Sequence, residues 1–206
     1  MFKISPLVLF LLIGCNGSNN DSSTTTPIKI EQQKKIIDNF GKHNSSWSIK
    51  LGQWNFNNGI LKQSATNESF PLILLENKKL SDVDVSVKFR PISGNIDASG
   101  GVVFRAIDKD NYYIVRANAL ENNFRLYTFK KGIRSEIASA TVTPPKLGVF
   151  HTIRVVVKGE HIQAYLDGKL YIDHTDSSFS KGYVGLWTKA DSVTEFDDFL
   201  IKIGAK

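Results

Sequence analysis

An all-β antiparallel sandwich of two sheets is the fold class this sequence predicts, and three observations predict it. Val83–Arg90 alternates strictly, with Val83, Val85, Val87 and Phe89 on one face and Asp84, Ser86, Lys88 and Arg90 on the other. A period of two marks a strand with one face buried and one wet. Asp167-Gly168 joins Ile162–Leu166 to Lys169–Ile172, and Asp-Gly supplies the two positive φ values of a type I′ hairpin turn. Finally, short apolar segments recur between turn-rich separators, and no stretch of the body sustains an apolar period of 3.6.

The elements follow in chain order. Met1–Gly14 carries one positive charge at Lys3, an apolar stretch from Leu7 to Ile13 and then a small residue, the layout of an export signal. Leu12-Ile13-Gly14-Cys15 resembles a bacterial lipobox, and Cys15 is the one cysteine among 206 residues. The resemblance implies cleavage before Cys15 and lipidation of its thiol and new amine. It places the protein outside the cytoplasm, held to the cell envelope through lipid. Residues 15–35 hold no sustained apolar pattern and read as a solvated tether, with a short helix around Gln32–Ile37 as the alternative. A β-sandwich domain is expected over residues 36–206.

Within it the remaining strand candidates are Gly101–Ala106, Tyr112–Asn118, Phe124–Phe129, Ile133–Ala138, His151–Lys158, Tyr183–Thr188 and Phe196–Ile203. Their separators are Asp108–Asn111, Glu121–Asn123, Lys131-Gly132 and Lys158-Gly159. A hydrophobic content of 41% supplies a core. The single cysteine excludes an internal disulfide framework and a cysteine zinc cage. The net charge of +6 is mild, acidic residues are interspersed and no nucleic-acid motif is present. Arg125, Lys130, Lys131 and Arg134 form a basic hairpin, a solvated element with affinity for anionic headgroups or glycans as its functional reading.

Specific residues carry a family resemblance. Trp47–Leu61, Gly100–Arg105, Asn111–Asn118, His151–Val155, Leu166–Lys169 and Gly185–Phe199 resemble concanavalin A-like jelly-roll domains related to the 3-keto-disaccharide hydrolase (DUF1080) family. The resemblance implies a jelly-roll sandwich from about Asp38 onward. For activity it implies binding or cleavage of saccharides, since this superfamily hosts lectins, binding modules and hydrolases alike.

No Glu-x-Asp-x-x-Glu run is present, so the paired carboxylates of a classical glycosidase are not set on one strand. Glu195–Asp198 has the wrong spacing. His43, His151, His161 and His174 are scattered without a metal-ligating spacing. What remains is a polar and aromatic surface: Tyr112, Arg116 and Asn118 on one strand face, Arg105 on a second strand, Trp187 and Lys189 on a third. An aromatic ring stacks on a pyranose while Arg, Asn and Lys donate to hydroxyls. The alternative makes Trp187 core and the arginines an inter-strand ladder. The expected ligand site is thus Arg105, Tyr112, Arg116, Asn118, Trp187 and Lys189, taking a saccharide. No organic cofactor is expected. Asp38, Asp197 and Asp198, on the terminal strands, suit either a structural calcium or turn capping. Three functions compete: a lipid-anchored carbohydrate-binding domain, a hydrolase of 3-keto-disaccharides, and a non-catalytic interaction lipoprotein.

Overall fold

The computed structural model describes residues 34–204. The expected signal, the lipidation site Cys15 and the tether up to residue 33 lie outside the described residues.

Fifteen strands run in chain order: β1 (Lys34–Asp38), β2 (Trp47–Leu51), β3 (Trp54–Asn57), β4 (Ile60–Gln63), β5 (Leu72–Leu80), β6 (Val83–Ser93), β7 (Ser99–Asp108) and β8 (Asn111–Asn118). They continue as β9 (Asn123–Lys130), β10 (Ile133–Thr141), β11 (His151–Lys158), β12 (His161–Leu166), β13 (Lys169–Thr175), β14 (Gly182–Trp187) and β15 (Val193–Ile203). They form two antiparallel sheets. One has the order β13-β12-β11-β6-β15-β4-β3, with β1 added to β15; the other is β10-β9-β8-β7-β14-β5-β2. This is the expected jelly-roll sandwich.

The inward face of each sheet feeds one core. Val83, Val85, Val87 and Phe89 of β6 meet Val102, Phe104, Tyr113 and Val115 of β7 and β8. Burial of these apolar faces, at about 25 cal/mol per Å², is the main force holding the sheets together. The Asp167-Gly168 hairpin forms with φ of 49° and 80°, as the turn chemistry demands.

Three features differ from expectation. Lys34 and Lys35 belong to β1 rather than to a tether, because Lys34–Asp38 pairs residue by residue with Phe199–Ile203. No helix forms over the described part of Gln32–Ile37. In β5, Leu72–Leu75 are buried on both faces, which erases the alternation that marks a half-wet strand.

Candidate functional site

The pairing register lays out the outer face of the seven-stranded sheet as rows. One row runs Leu72, Trp187, Gly101, Arg116, Arg125 across β5, β14, β7, β8 and β9. The next runs Leu74, Gly185, Val103, Ile114, Tyr127, and Tyr112, Phe129 and Arg134 follow. In the other direction Ser99 lies opposite Asn118. Beyond that pair rise the loops 94–98, 119–122 and 188–192. Glycine is needed at the centre of the first row. A Cβ on Gly101 would stand 2.6 Å from Ile114 Cδ1 and 3.2 Å from Arg116 Cβ.

Half of this face is apolar and closed. Leu72, Leu74, Val103, Tyr112, Ile114, Phe129 and Trp187 form a second hydrophobic cluster. Tyr112 stacks on Phe129 at 4.4 Å, and Phe70 stacks on Trp187 at 5.8 Å. The Arg134 guanidinium lies over the rings of Phe70 and Tyr127 at 5.2 and 4.7 Å, a cation–π bridge across the cluster. Burial pushes the Tyr112 phenol well above its ordinary range, with the Trp187 indole opposing. Trp187 and Tyr112 therefore are not open stacking platforms; the loop carrying Phe70 encloses them.

The other half is polar and incompletely satisfied. Arg116 is 1% exposed. Its Nη2 donates to Glu121 Oε2 at 2.8 Å and reaches the Tyr127 hydroxyl at 3.5 Å, while Nε and Nη1 have no protein partner. Asn118 Oδ1 accepts the N–H groups of Ala98 and Leu120 at 3.1 and 3.0 Å. That orients the amide and leaves Nδ2 without an acceptor. Asn123 donates to Glu121 at 2.8 Å and keeps Oδ1 unpaired. Asp97, fully buried, takes Lys189 Nζ at 2.6 Å on Oδ2 and has nothing on Oδ1. Unpaired buried polar atoms each cost about 1–3 kcal/mol, so native folds carry few. Here donors of three side chains, Arg125 Nε included, and acceptors of two others collect at one end of one face. Such a set is suited to a ligand that both donates and accepts hydrogen bonds.

The surroundings fix this set. Asp191 accepts the backbone N–H groups of Asn95, Ile96 and Asp97 at 2.6, 3.1 and 2.9 Å and so shapes the loop that presents Asp97. Gln63 Nε2 donates to Thr188 Oγ1 and the Ser192 carbonyl at 3.1 and 2.9 Å, tying the 188–192 loop to the opposite sheet. Burial alone would raise the Glu121 carboxyl, but hydrogen bonds from Arg116 and Asn123 and the nearby arginine charges hold it at about 2.

Of the six residues expected from sequence, Tyr112, Arg116, Asn118, Trp187 and Lys189 belong to this face or its rim, and Arg105 does not. Arg105 sits at a bulge with φ of 50°, where the β7–β8 register jumps between Phe104 and Asp108. Ala106 takes the outer-face place beside Tyr112. Arg105 turns to the far end of the sandwich. It donates to the carbonyls of Ser81, Phe179 and Gly159 at 2.9, 2.9 and 2.5 Å. The argument that a buried arginine needs partners holds, but backbone carbonyls supply them.

The calcium reading of Asp38, Asp197 and Asp198 does not fit the donor set. Asp38 accepts Phe40 N–H at 2.8 Å and the Trp47 indole at 2.9 Å, Asp198 pairs with Lys88 at 2.7 Å, and Asp197 caps Asp198 N–H at 2.6 Å. Among the described residues no group of three or more His, Cys, Asp or Glu side chains is placed to hold a metal. The His151 ring is likewise engaged on both nitrogens, by Asp167 at 2.7 Å and by Lys146 N–H at 3.0 Å.

Sequence reasoning missed Asp97, Glu121, Asn123 and Asp191. All four lie in or beside loops, and of these only the Glu121–Asn123 turn left a local signal.

The model of the 3-keto-alpha-glucoside-1,2-lyase-like domain matches residues 33–202. The chain belongs to this family. Levanase from Bacillus subtilis (strain 168) is 27% identical over 150 residues, 71% of this chain but 21% of that enzyme, so the chain spans about a fifth of its curated relative. Among solved structures, the carbohydrate-binding module CBM66 from Bacillus subtilis superposes with a TM-score of 0.70 at 24% identity, covering 76% of this chain and 95% of the module. A Parabacteroides distasonis ATCC 8503 protein described as a glycosyl hydrolase gives a TM-score of 0.61 at 17% identity, covering 82% of this chain and 98% of that one. These likenesses establish a jelly-roll fold shared by binding modules and glycosidases.

Proposed function

We propose that this domain binds an uncharged saccharide at the polar end of the outer face, and that the protein displays it from a lipid anchor at Cys15 outside the cytoplasm. One observation carries the binding reading. Arg116 Nε and Nη1, Asn118 Nδ2, Asp97 Oδ1 and Asn123 Oδ1 are buried polar atoms without protein partners, gathered on one face. Sugar hydroxyls donate and accept at once and match such a mixed set. The charges also pair off locally: Arg116 with Glu121, Lys189 with Asp97, and Arg125 with Glu136 at 3.1 Å. Each of these three cations thus has its own carboxylate partner. The family and the carbohydrate-binding module of the same fold support the reading.

The anchor rests on the lipobox-like Leu12–Cys15 following an apolar stretch. Palmitate labelling tests it: Cys15→Ser abolishes incorporation, and unchanged labelling removes the anchor.

The family match favours a second reading, cleavage of a 3-keto-glucoside. Proton abstraction beside a ketone needs a base within reach of the carbon acid. Asp97, with a free buried oxygen, is the group placed to serve. A glycan array with the full chain, followed by calorimetry, tests binding, and incubation with a 3-keto-glucoside tests cleavage. Binding lost in Arg116→Ala supports the first reading. Product formation lost in Asp97→Asn supports the second.

A further inference from the structure

One end of the sandwich gathers exposed lysines, which outnumber the carboxylates of Asp82, Asp108, Asp110, Glu160 and Asp176 in the same turns. Register fixes the ends: β6 and β15 pair Ser93 with Val193 at one end and Asp84 with Lys202 at the other. The saccharide loops 94–98 and 188–192 flank the first pair. The opposite end carries the turns after β5, β7, β9, β11 and β13. Lys78, Lys79, Lys130, Lys131, Lys158 and Lys181 are exposed there, and among the described residues none has a carboxylate within 4 Å. Two exposed apolar side chains stand among them, Ile133 at 70% and Ile107 at 46%. Arg105 joins three of these turns through its carbonyl contacts. Gly132 N–H donates to the Asp110 carbonyl at 2.9 Å and fastens the other two together. The lysines therefore project from a braced surface.

The chain also enters the fold at this end. Lys34 pairs with Ile203, at the last residue of β15, and β15 spans 11 residues, about 35 Å at 3.3 Å per residue.

We infer that this basic end docks on a membrane surface of anionic phospholipid, with the saccharide site turned away from it. The membrane orientation rests on the anchored reading above; the affinity for anionic lipid does not. Clustered lysines near a bilayer draw anionic headgroups electrostatically, and the attraction fades within a Debye length. Ile107 and Ile133 supply apolar contact at the headgroup boundary. Lys34, the first described residue, lies at this end, which under the anchored reading favours this surface over the saccharide loops.

Vesicle sedimentation of the full chain tests the inference. One set of vesicles is pure phosphatidylcholine and the other contains a third phosphatidylglycerol. Any apolar insertion of the N-terminal segment contributes to both, so the difference between them reads the electrostatic term. The expected result is at least tenfold stronger partition onto the anionic vesicles at low salt, vanishing near 0.5 M salt. The combined variant Lys130→Glu, Lys131→Glu, Lys181→Glu loses the preference. Lys146→Glu with Lys169→Glu, exposed at the saccharide end, keeps it. Equal partition onto both vesicles, equal loss in the two variants, or capture by a soluble polyanion without vesicle preference overturns the inference. Palmitate labelling reports on the anchor separately, so the two readings fail independently.

Discussion

Arg116 and Glu121 form an ion pair at 2.8 Å in which the arginine is 1% exposed and the glutamate 34%. The pair uses one guanidinium nitrogen well and leaves two buried donors, Nε and Nη1, without a protein acceptor. This asymmetry separates it from Arg105, whose three nitrogens all reach carbonyls. The first arginine keeps two unused buried donors; the second is already complete.

Arg116→Ala is expected to weaken saccharide binding by about 1–3 kcal/mol, the range for a hydrogen bond to a charged group. Glu121, partly exposed, is left in contact with water, so the fold survives. Calorimetry measures the first effect and thermal melting the second.

Arg105→Leu is expected to behave in the opposite way. It removes the donors from three turn carbonyls and destabilises the fold by about 2–4 kcal/mol, while folded protein binds saccharide as before. Urea denaturation gives the stability, and a binding isotherm below the transition gives the affinity. Arg105→Lys does not rescue, because one ammonium cannot reproduce the planar three-way contact.

Gly101→Ala is expected to disturb the site from beneath. The added methyl meets Ile114 Cδ1 and the Val115 carbonyl at 2.6 and 2.7 Å, so neighbours must move. Overpacking of this kind costs about 1–3 kcal/mol. Lower stability together with weaker binding is expected, since Arg116 Cβ is the third neighbour.

Acid affects the site through Glu121 and Asp191. Glu121 falls from an ordinary 4.5 to about 2, and backbone N–H donors at Asn95 and Asp97, opposed by slight burial, hold Asp191 below its ordinary 3.8. A depressed carboxyl contributes stability that is fully present above its unfolded value and is lost as pH falls through the folded one. The contribution of Glu121 is therefore constant above about pH 5 and falls away between about pH 4.5 and 2, and that of Asp191 falls away as the pH drops below its ordinary 3.8. Glu121→Gln is expected to shallow the acid limb of the melting temperature against pH; an unchanged limb contradicts the assignment.

The sequence and structure agree wherever periodicity or turn chemistry dominates. Val83–Phe89 alternates because one face is core and the other is wet. Asp167-Gly168 turns because both residues accept positive φ. Legibility fails where tertiary contacts override local pattern. Leu72–Leu75 shows no alternation because Trp187 and Phe70 cover its outer face. Arg105 shares the alternation of Val103 on paper, and a single residue at φ 50° removes it from that face. Asp97 and Asp191 are 94 positions apart and meet only through loop closure, which no local signal encodes. Five of the six proposed ligand residues are nonetheless grouped on or beside one face, because Tyr112, Arg116 and Asn118 on β8 and Trp187 with Lys189 at the end of β14 follow the period of two.

Under the binding reading, the unpaired atoms of Arg116, Asn118, Asp97 and Asn123 meet a sugar. Nitrogen-resolved NMR of the Asn and Arg side chains during titration with a saccharide identified by array reads this most directly. The Asn118 Nδ2 and Arg116 Nε signals are expected to shift with saturation. The Gln163 amide, on the outer face of the other sheet beside Asp173, stays fixed. Saturable binding that moves Gln163 and leaves Asn118 and Arg116 unchanged would contradict it.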